Sequence, residues 1–221
     1  MTQQGRPRTF VEHEVLDAAM QVFWRHGYAA SSIAQLRAAT GLSSASLYGA
    51  FGSKEGLFER AIAHYIAGPG QVSELVGDLT LDPLEALGLM LHGTIEMQSE
   101  PAHPGGCLVA LSANVGAGGD DDVAARRIVA ARRAEDRAGI EACIRRAVAG
   151  GAIRSDHEPA VSAILVHTFV LGVSTQLLDG VPPATLHAAA ALLLSGLRPS
   201  GAAMSQDASS DGRSSILSDD K

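Results

Sequence analysis

The stretch from Ser31 to Phe58, SSIAQLRAATGLSSASLYGAFGSKEGLF, constrains this chain more than any other part of it. It reads as two short helices around a tight turn, followed at once by a third. The first is expected from Ser32 to Thr40, with Ile33, Leu36 and Ala39 on one face at helical spacing and Ser31 and Ser32 placed to accept free N-terminal amides. Gly41 interrupts it, because a sharp turn needs a left-handed residue and glycine supplies one without a side-chain clash. Leu42 then plugs the corner.

Ser43 is placed to cap a second helix through Phe51, in which Leu47 and Phe51, four residues apart, point inward. Ser43, Ser44, Ala45, Tyr48 and Gly49 are left facing out. A surface of small and hydroxylated side chains lets a helix backbone approach the major groove closely, with hydroxyls bonding to base edges or phosphates. Tyr48 is long enough to carry its hydroxyl to a phosphate at the groove wall. Lys54 falls at the start of the next helix, where the free amides and the dipole also favour an anion. This is the layout of a DNA-reading helix-turn-helix.

At these residues the chain resembles the TetR family of one-component bacterial transcription regulators. The resemblance rests on Ile33-Ala34, on Ala39-Thr40-Gly41-Leu42-Ser43 across the turn, on Leu47-Tyr48, and on Phe51-Gly-Ser-Lys54-Glu55-Gly-Leu57-Phe58. It extends into the preceding helix, with Leu16, Ala19 and Phe23 at helical spacing and His26-Gly27-Tyr28 closing it. It covers Phe10 to about Tyr65 and implies an all-α protein: a three-helix DNA-binding domain followed by a larger helical ligand-binding and dimerisation domain. The expected divisions are a flexible basic arm at 1–8, the helix-turn-helix domain at 9–65, the ligand and dimer domain at 66–198, and a disordered tail at 199–221.

Charge has to be divided before it bears on DNA. Residues 1–60 carry six Lys/Arg against five Asp/Glu, a net +1, which leaves −8 for the rest of a chain at −7. The acidity lies away from the proposed head, but +1 is weak for a nucleic-acid surface, so tight binding requires two heads per site. Arg6 and Arg8 on the N-terminal arm suit a minor groove or phosphates, and read equally as a solvated tail. The head also departs from more basic relatives in having no Arg or Lys between Thr40 and Ser53. No apolar leader follows Met1 and no apolar run approaches about 20 residues, so no membrane segment and a cytoplasmic location are expected. Cys107 and Cys143 are too few for a disulfide framework and are expected as reduced thiols.

Beyond the head, a helix is expected from Ser53 through Ile66, stopped by Gly68-Pro69-Gly70, with a short helix near Val72 to Val76. Asp82-Pro83 opens a longer one striped by Leu84, Leu87, Leu91 and Ile95. Gly105 to Ala113 reads as a buried helix of small residues, Asp120-Asp121-Asp122 as the start of a long helix past Cys143, and two strongly apolar helices end the sequence, near Glu158 to Leu178 and Pro183 to Leu197. Helices so apolar need covering, either as plain core or, as the resemblance implies, in a homodimer.

The resemblance places an unidentified small-molecule effector, and no cofactor, between the later helices. Met90, Met97, Cys107, Leu111, Phe169 and Gln176 are the candidate ligand-binding residues, each also readable as plain core. Cys107 carries the alternative of a thiol sensor for electrophiles or oxidants, since a thiolate at a helix N-terminus would be activated, against the simpler reading of an inert buried thiol. His92, His103, Cys107 and His167 show no chelating spacing, so no metal is expected. The chain also lacks a Gly-x-Ser-x-Gly elbow, a phosphate-cradling loop and a His-Glu-x-x-His helix, which argues against an enzyme. A helical carrier is the competing class, and outward serines with Tyr48 and Lys54 weigh against it, because packing needs none of them. The expected function is a repressor that binds a palindromic double-stranded DNA operator as a dimer and is released by a small-molecule inducer.

Overall fold

The computed structural model describes residues 10–112 and 120–199. Arg6 and Arg8, the arm at 1–8 and nearly all of the tail at 199–221 lie outside the described residues, as does the end of the Gly105 to Ala113 segment. Among the described residues all regular structure is helical, as the apolar periodicity implies.

Helix α1 (Glu12–Ala30) leads into α2 (Ile33–Thr40), α3 (Ser44–Phe51) and α4 (Lys54–Ala67). Each of the three short starts is set by a serine. Ser32 accepts from Gln35 N while the Gln35 side chain accepts from Ser32 N, a reciprocal capping box. Ser43 Oγ accepts from Ser46 N at 3.1 Å, and Ser53 Oγ accepts from Gly56 N at 3.1 Å. Gly41 ends α2 with φ 69°, as the turn requires. Of the face expected on α2, Leu36 is fully buried and Ile33 half-buried, but Ala39 is exposed. Leu36, Leu47 and the rings of Phe23, Tyr28 and Phe58, whose centroids lie 5.0 to 6.0 Å apart, form the core of this part.

That core does not stop at the head. Leu108, Val109, Ala125 and Val129 belong to it as well. They come from α6 (Leu108–Leu111), only four residues long where a longer buried helix is expected, and from α7 (Asp120–Ala149). Gly105, Gly106 and Cys107 are not helical, so Cys107 precedes a helix of barely one turn.

A 3-10 helix (Pro69–Gly77) stands where a short helix is expected and is held onto α7 by Arg132, which donates to Glu74 Oε1 and Asp136 Oδ1 at 2.6 Å and to Ser73 Oγ at 3.0 Å. Then come α5 (Pro83–Ser99), capped by Asp82 Oδ1, and after α7 the closing pair α8 (Pro159–Leu178) and α9 (Pro183–Leu197). Leu84, Leu87, Met90, Leu91 and Ile95 of α5 pack with Ile140, Cys143 and Ile144 of α7 and with Val166, Val173, Leu186 and Leu197 of α8 and α9. Truncating a buried leucine here would cost about 2–5 kcal/mol.

One expectation is corrected by α8. Among the described residues it is long and apolar enough to cross a membrane, where no such run was anticipated. It nevertheless packs on α7, α5 and α9 as a core helix of this bundle.

Candidate nucleic-acid interface

The turn between α2 and α3 presents the surface that the sequence anticipates. Ser43, Ala45, Tyr48 and Gly49 are exposed and Ser44 is half-buried, while Leu47 points into the core. Tyr48 is 46% exposed, so about half of its surface is open to a partner. The Ser43 hydroxyl is shared, since it serves the α3 cap and also lies 3.0 Å from Ser46 Oγ. Gly56 keeps α4 tight against the end of α3: a Cβ there would clash with the Phe51 carbonyl oxygen, far inside van der Waals contact. Phe10 closes the other side of α3, its ring centroid 6.3 Å from that of Phe51.

Two expected contacts change. Ser31 is fully buried, with its hydroxyl donating to Gly27 O at 2.6 Å, so it belongs to the α1 to α2 joint and offers nothing to DNA. Ser32 is exposed, but its hydroxyl is engaged in the capping box. Lys54 is at the first position of α4 as expected, with its ammonium 4.1 Å from the centroid of the Tyr28 ring. Any anion it meets there meets a cation already held by an aromatic face. A cationic side chain outside the expected set joins them: Arg37, exposed in the last turn of α2 beside the turn.

Behind the head lies a polar belt that sequence reasoning only grazed. Trp24 of α1 donates from Nε1 to Gly106 O at 3.2 Å and stacks on His103 with centroids 4.7 Å apart. Tyr65 of α4 meets Trp24 edge-on at 4.9 Å and donates to Cys107 Sγ at 3.4 Å, with Met97 Sδ at 3.6 Å. The Cys107 amide donates to Ser174 Oγ at 3.2 Å, and that hydroxyl donates to Gln98 Oε1 at 2.7 Å. Five segments of chain, α1, α4, α5, residues 103–107 and α8, therefore meet at one place.

Of the six ligand candidates, Met97 and Cys107 are in this belt, and Leu111 packs over Gly106 beside it. Met90 is buried in the other core, Phe169 packs against that core, and Gln176 is exposed on the outside of α8, so these three are not brought together with the rest. Trp24, Tyr65, Gln98 and Ser174 were missed. Gln98 had a signal: it continues the α5 stripe of Leu84, Leu87, Leu91 and Ile95, a buried position where a polar residue needs a partner. Burial pushes the Cys107 thiol above its ordinary value, outweighing the Tyr65 hydrogen bond, and this opposes the thiolate that the sensor alternative requires. Burial likewise drives the Tyr65 hydroxyl well up, so both groups stay protonated.

Comparison with known proteins agrees with this geometry. The family described as bacterial regulatory proteins, tetR family, matches residues 15–61. Over 63 residues the chain is 48% identical to the HTH-type transcriptional repressor ComR of Escherichia coli K12, covering 28% of this chain and 30% of ComR. Over 62 residues it is 42% identical to the repressor BdcR of the same organism, covering 28% of this chain and 32% of BdcR. The chain thus spans about a third of the length of these two relatives. A much longer match is to a cysteine mutant of the TetR family transcriptional regulator CifR, in a complex with a 26-base-pair double-strand operator DNA. It is 34% identical, with a TM-score of 0.77, over 86% of this chain and 98% of that one. With nearly the whole of a solved regulator matched at that identity, this chain belongs to the TetR family of bacterial regulatory proteins.

Proposed function

We propose that this protein is a transcriptional repressor that binds a palindromic operator as a homodimer through α3 and leaves it when a small molecule occupies the belt behind the head. The observation that carries the proposal is the exposed face of α3: Ser43, Ala45, Tyr48 and Gly49 on a serine-capped helix, with Arg37 in the last turn of the helix before it and Lys54 at the start of the helix after it. Small side chains admit the helix to a major groove, and the flanking cations suit the phosphates on either side. The tetR family model matches residues 15–61, which hold this head, and the operator complex of CifR aligns over nearly the whole fold.

The dimer follows from the closing helices. Val161, Ile164 and Leu165 of α8 and Leu192 of α9 are 53 to 74% exposed, beside a groove of about 450 Å³. A contiguous apolar face of this kind is stable in water only when covered, and a second copy covers it with the same surface. Two heads per dimer also compensate for the weak charge of one, reaching successive major grooves about 34 Å apart.

The effector reading rests on Tyr65, Met97, Gln98, Cys107 and Ser174, an apolar setting with a few convergent polar groups, as small-molecule sites have. A ligand there shifts operator affinity only by its preference between two dimer states. The test is a fluorescence-anisotropy titration with DNA flanking the protein's own gene, scrambled DNA as competitor and salt varied. Sequence-selective binding by a dimer, weakening with salt, is the expected result. Equal binding to scrambled DNA at that locus and to genome-wide fragments would sink the operator reading.

A further inference from the structure

On the flank of α5 and α9, His92, Glu96 and His187 each bring one ligand atom to within 4.8 Å of the others. His92 and Glu96 are four residues apart on α5, so they leave the same face one turn apart. His187 comes from the second turn of α9, its Nε2 2.7 Å from Glu96 Oε1. The rings of His92 and His187 lie against each other, centroids 4.5 Å apart and planes inclined by 33°. Among the described residues this is the one group of three such side chains that converges so closely.

We propose that His92, Glu96 and His187 form a binding site for a divalent transition-metal ion that clamps α5 to α9. Two imidazole nitrogens and one carboxylate oxygen are the donor set of Zn²⁺, Cu²⁺ and Ni²⁺, not of Mg²⁺ or Ca²⁺, which take oxygen ligands. At metal–ligand bonds of about 2.1 Å, ligand atoms around a tetrahedral ion stand roughly 3.4 Å apart. The spread here is small enough for rotation of the side chains to close, since His92 and Glu96 are exposed and His187 already meets the carboxylate. Three protein ligands leave at least one coordination position for water.

A surface ion pair accounts for His187 and Glu96 but not for the second imidazole. The tilted ring pair sets one nitrogen of each imidazole within 4.8 Å of the Glu96 carboxylate, a convergence that a metal ion uses in full by taking all three as ligands. The site also stays open in a dimer. Leu192 is five residues beyond His187 and so about 140° away around α9, which puts the exposed apolar face and the metal ligands on different flanks. The proposal does not depend on what the head binds.

The test uses the full chain without a histidine tag, freed of metal by a chelator and titrated with Zn²⁺ and with Cu²⁺ in a calorimeter. One ion per chain is expected, with affinity falling roughly tenfold or more in H92A and in H187A, since even outer-shell losses cost that much. H26A, which removes an exposed histidine elsewhere, keeps full affinity. X-ray absorption of the zinc-loaded protein should show two imidazoles, reduced to one in H187A. Circular dichroism establishes that each surface variant is folded. Failure to saturate, or H92A and H187A binding like the unaltered chain, overturns the site.

Discussion

The backbone amide of Tyr28 donates to the carbonyl oxygen of Ser112 at 2.9 Å, fastening the end of α1 to the end of the segment that follows α5. The bond exists because Gly27 leaves the helix, with φ 72° and ψ 171°, a region essentially reserved for glycine. One turn earlier Trp24 holds Gly106 O. Residues 106–112 are therefore tied to α1 at both ends, and α1 packs on α2 and α4. A displacement of that segment has a direct mechanical route to the reading helices.

Replacing Gly27 with alanine strains this joint twice. The positive φ costs on the order of 1–3 kcal/mol for a residue with a Cβ, and that Cβ would stand 3.3 Å from the Ser112 carbonyl oxygen. Gly27→Ala is expected to lower Tm measurably and to weaken operator binding at temperatures where the protein is still folded. A variant with unchanged Tm would mean that the joint relaxes freely.

Tyr48 and Lys54 are separable by salt. Tyr48→Phe removes a neutral hydroxyl, so operator affinity should fall by about 1 kcal/mol on all operators with the salt dependence intact. Lys54→Ala removes one cation from each of the two heads, so the slope of log K against log salt should flatten by about 1.8 for the dimer. It should also cost about 0.5–1 kcal/mol of stability, because the Tyr28 ring loses its cation. Anisotropy titrations at four salt concentrations read both slopes. Parallel slopes for Lys54→Ala and the unaltered protein would leave that lysine a purely structural role.

What the sequence made legible is local. Ser43 before Leu47, Gly41 at the turn and Asp82-Pro83 before the α5 stripe each depend on neighbours within one turn, and each stands as expected. Ser31 was misassigned because its hydroxyl answers to Gly27 O, which is available only once the kink is known. Gln176 was chosen where Ser174 is the inward residue. The two are about 200° apart on α8, and a helix apolar on most sides gives no phase by which to tell them apart. Gln98 and Ser174 meet across 76 positions, a pairing that only the packing of α5 on α8 creates. The cluster of His92 and His187 was invisible for the same reason.

The apolar face of α8 and α9 predicts a change in assembly. Leu192→Glu puts a charge on an exposed position that the dimer would bury, so the chain should keep its helical content while association, and the part of Tm that depends on it, is lost. Sedimentation velocity should show a single-chain species, and operator affinity should drop by orders of magnitude as one of two heads is lost. A Leu192→Glu protein that sediments as a dimer would place the interface elsewhere.

His167 predicts a pH dependence of stability. It is buried on α8, and burial together with the nearby Arg137 and Arg133 guanidinium groups of α7 brings its pKa down from 6.5 to about 4. Above pH 6.5 the ring is neutral in both folded and unfolded chains, and it costs nothing. Between pH 6.5 and 4 the unfolded chain takes up a proton that the folded chain refuses, so stability falls with falling pH and levels off below about 4. The loss should be on the order of 3 kcal/mol per chain. His167→Gln removes the titrating ring, so its urea midpoint should decline less than that of the unaltered protein between pH 7 and pH 4. Equal declines would assign the acid sensitivity to other groups.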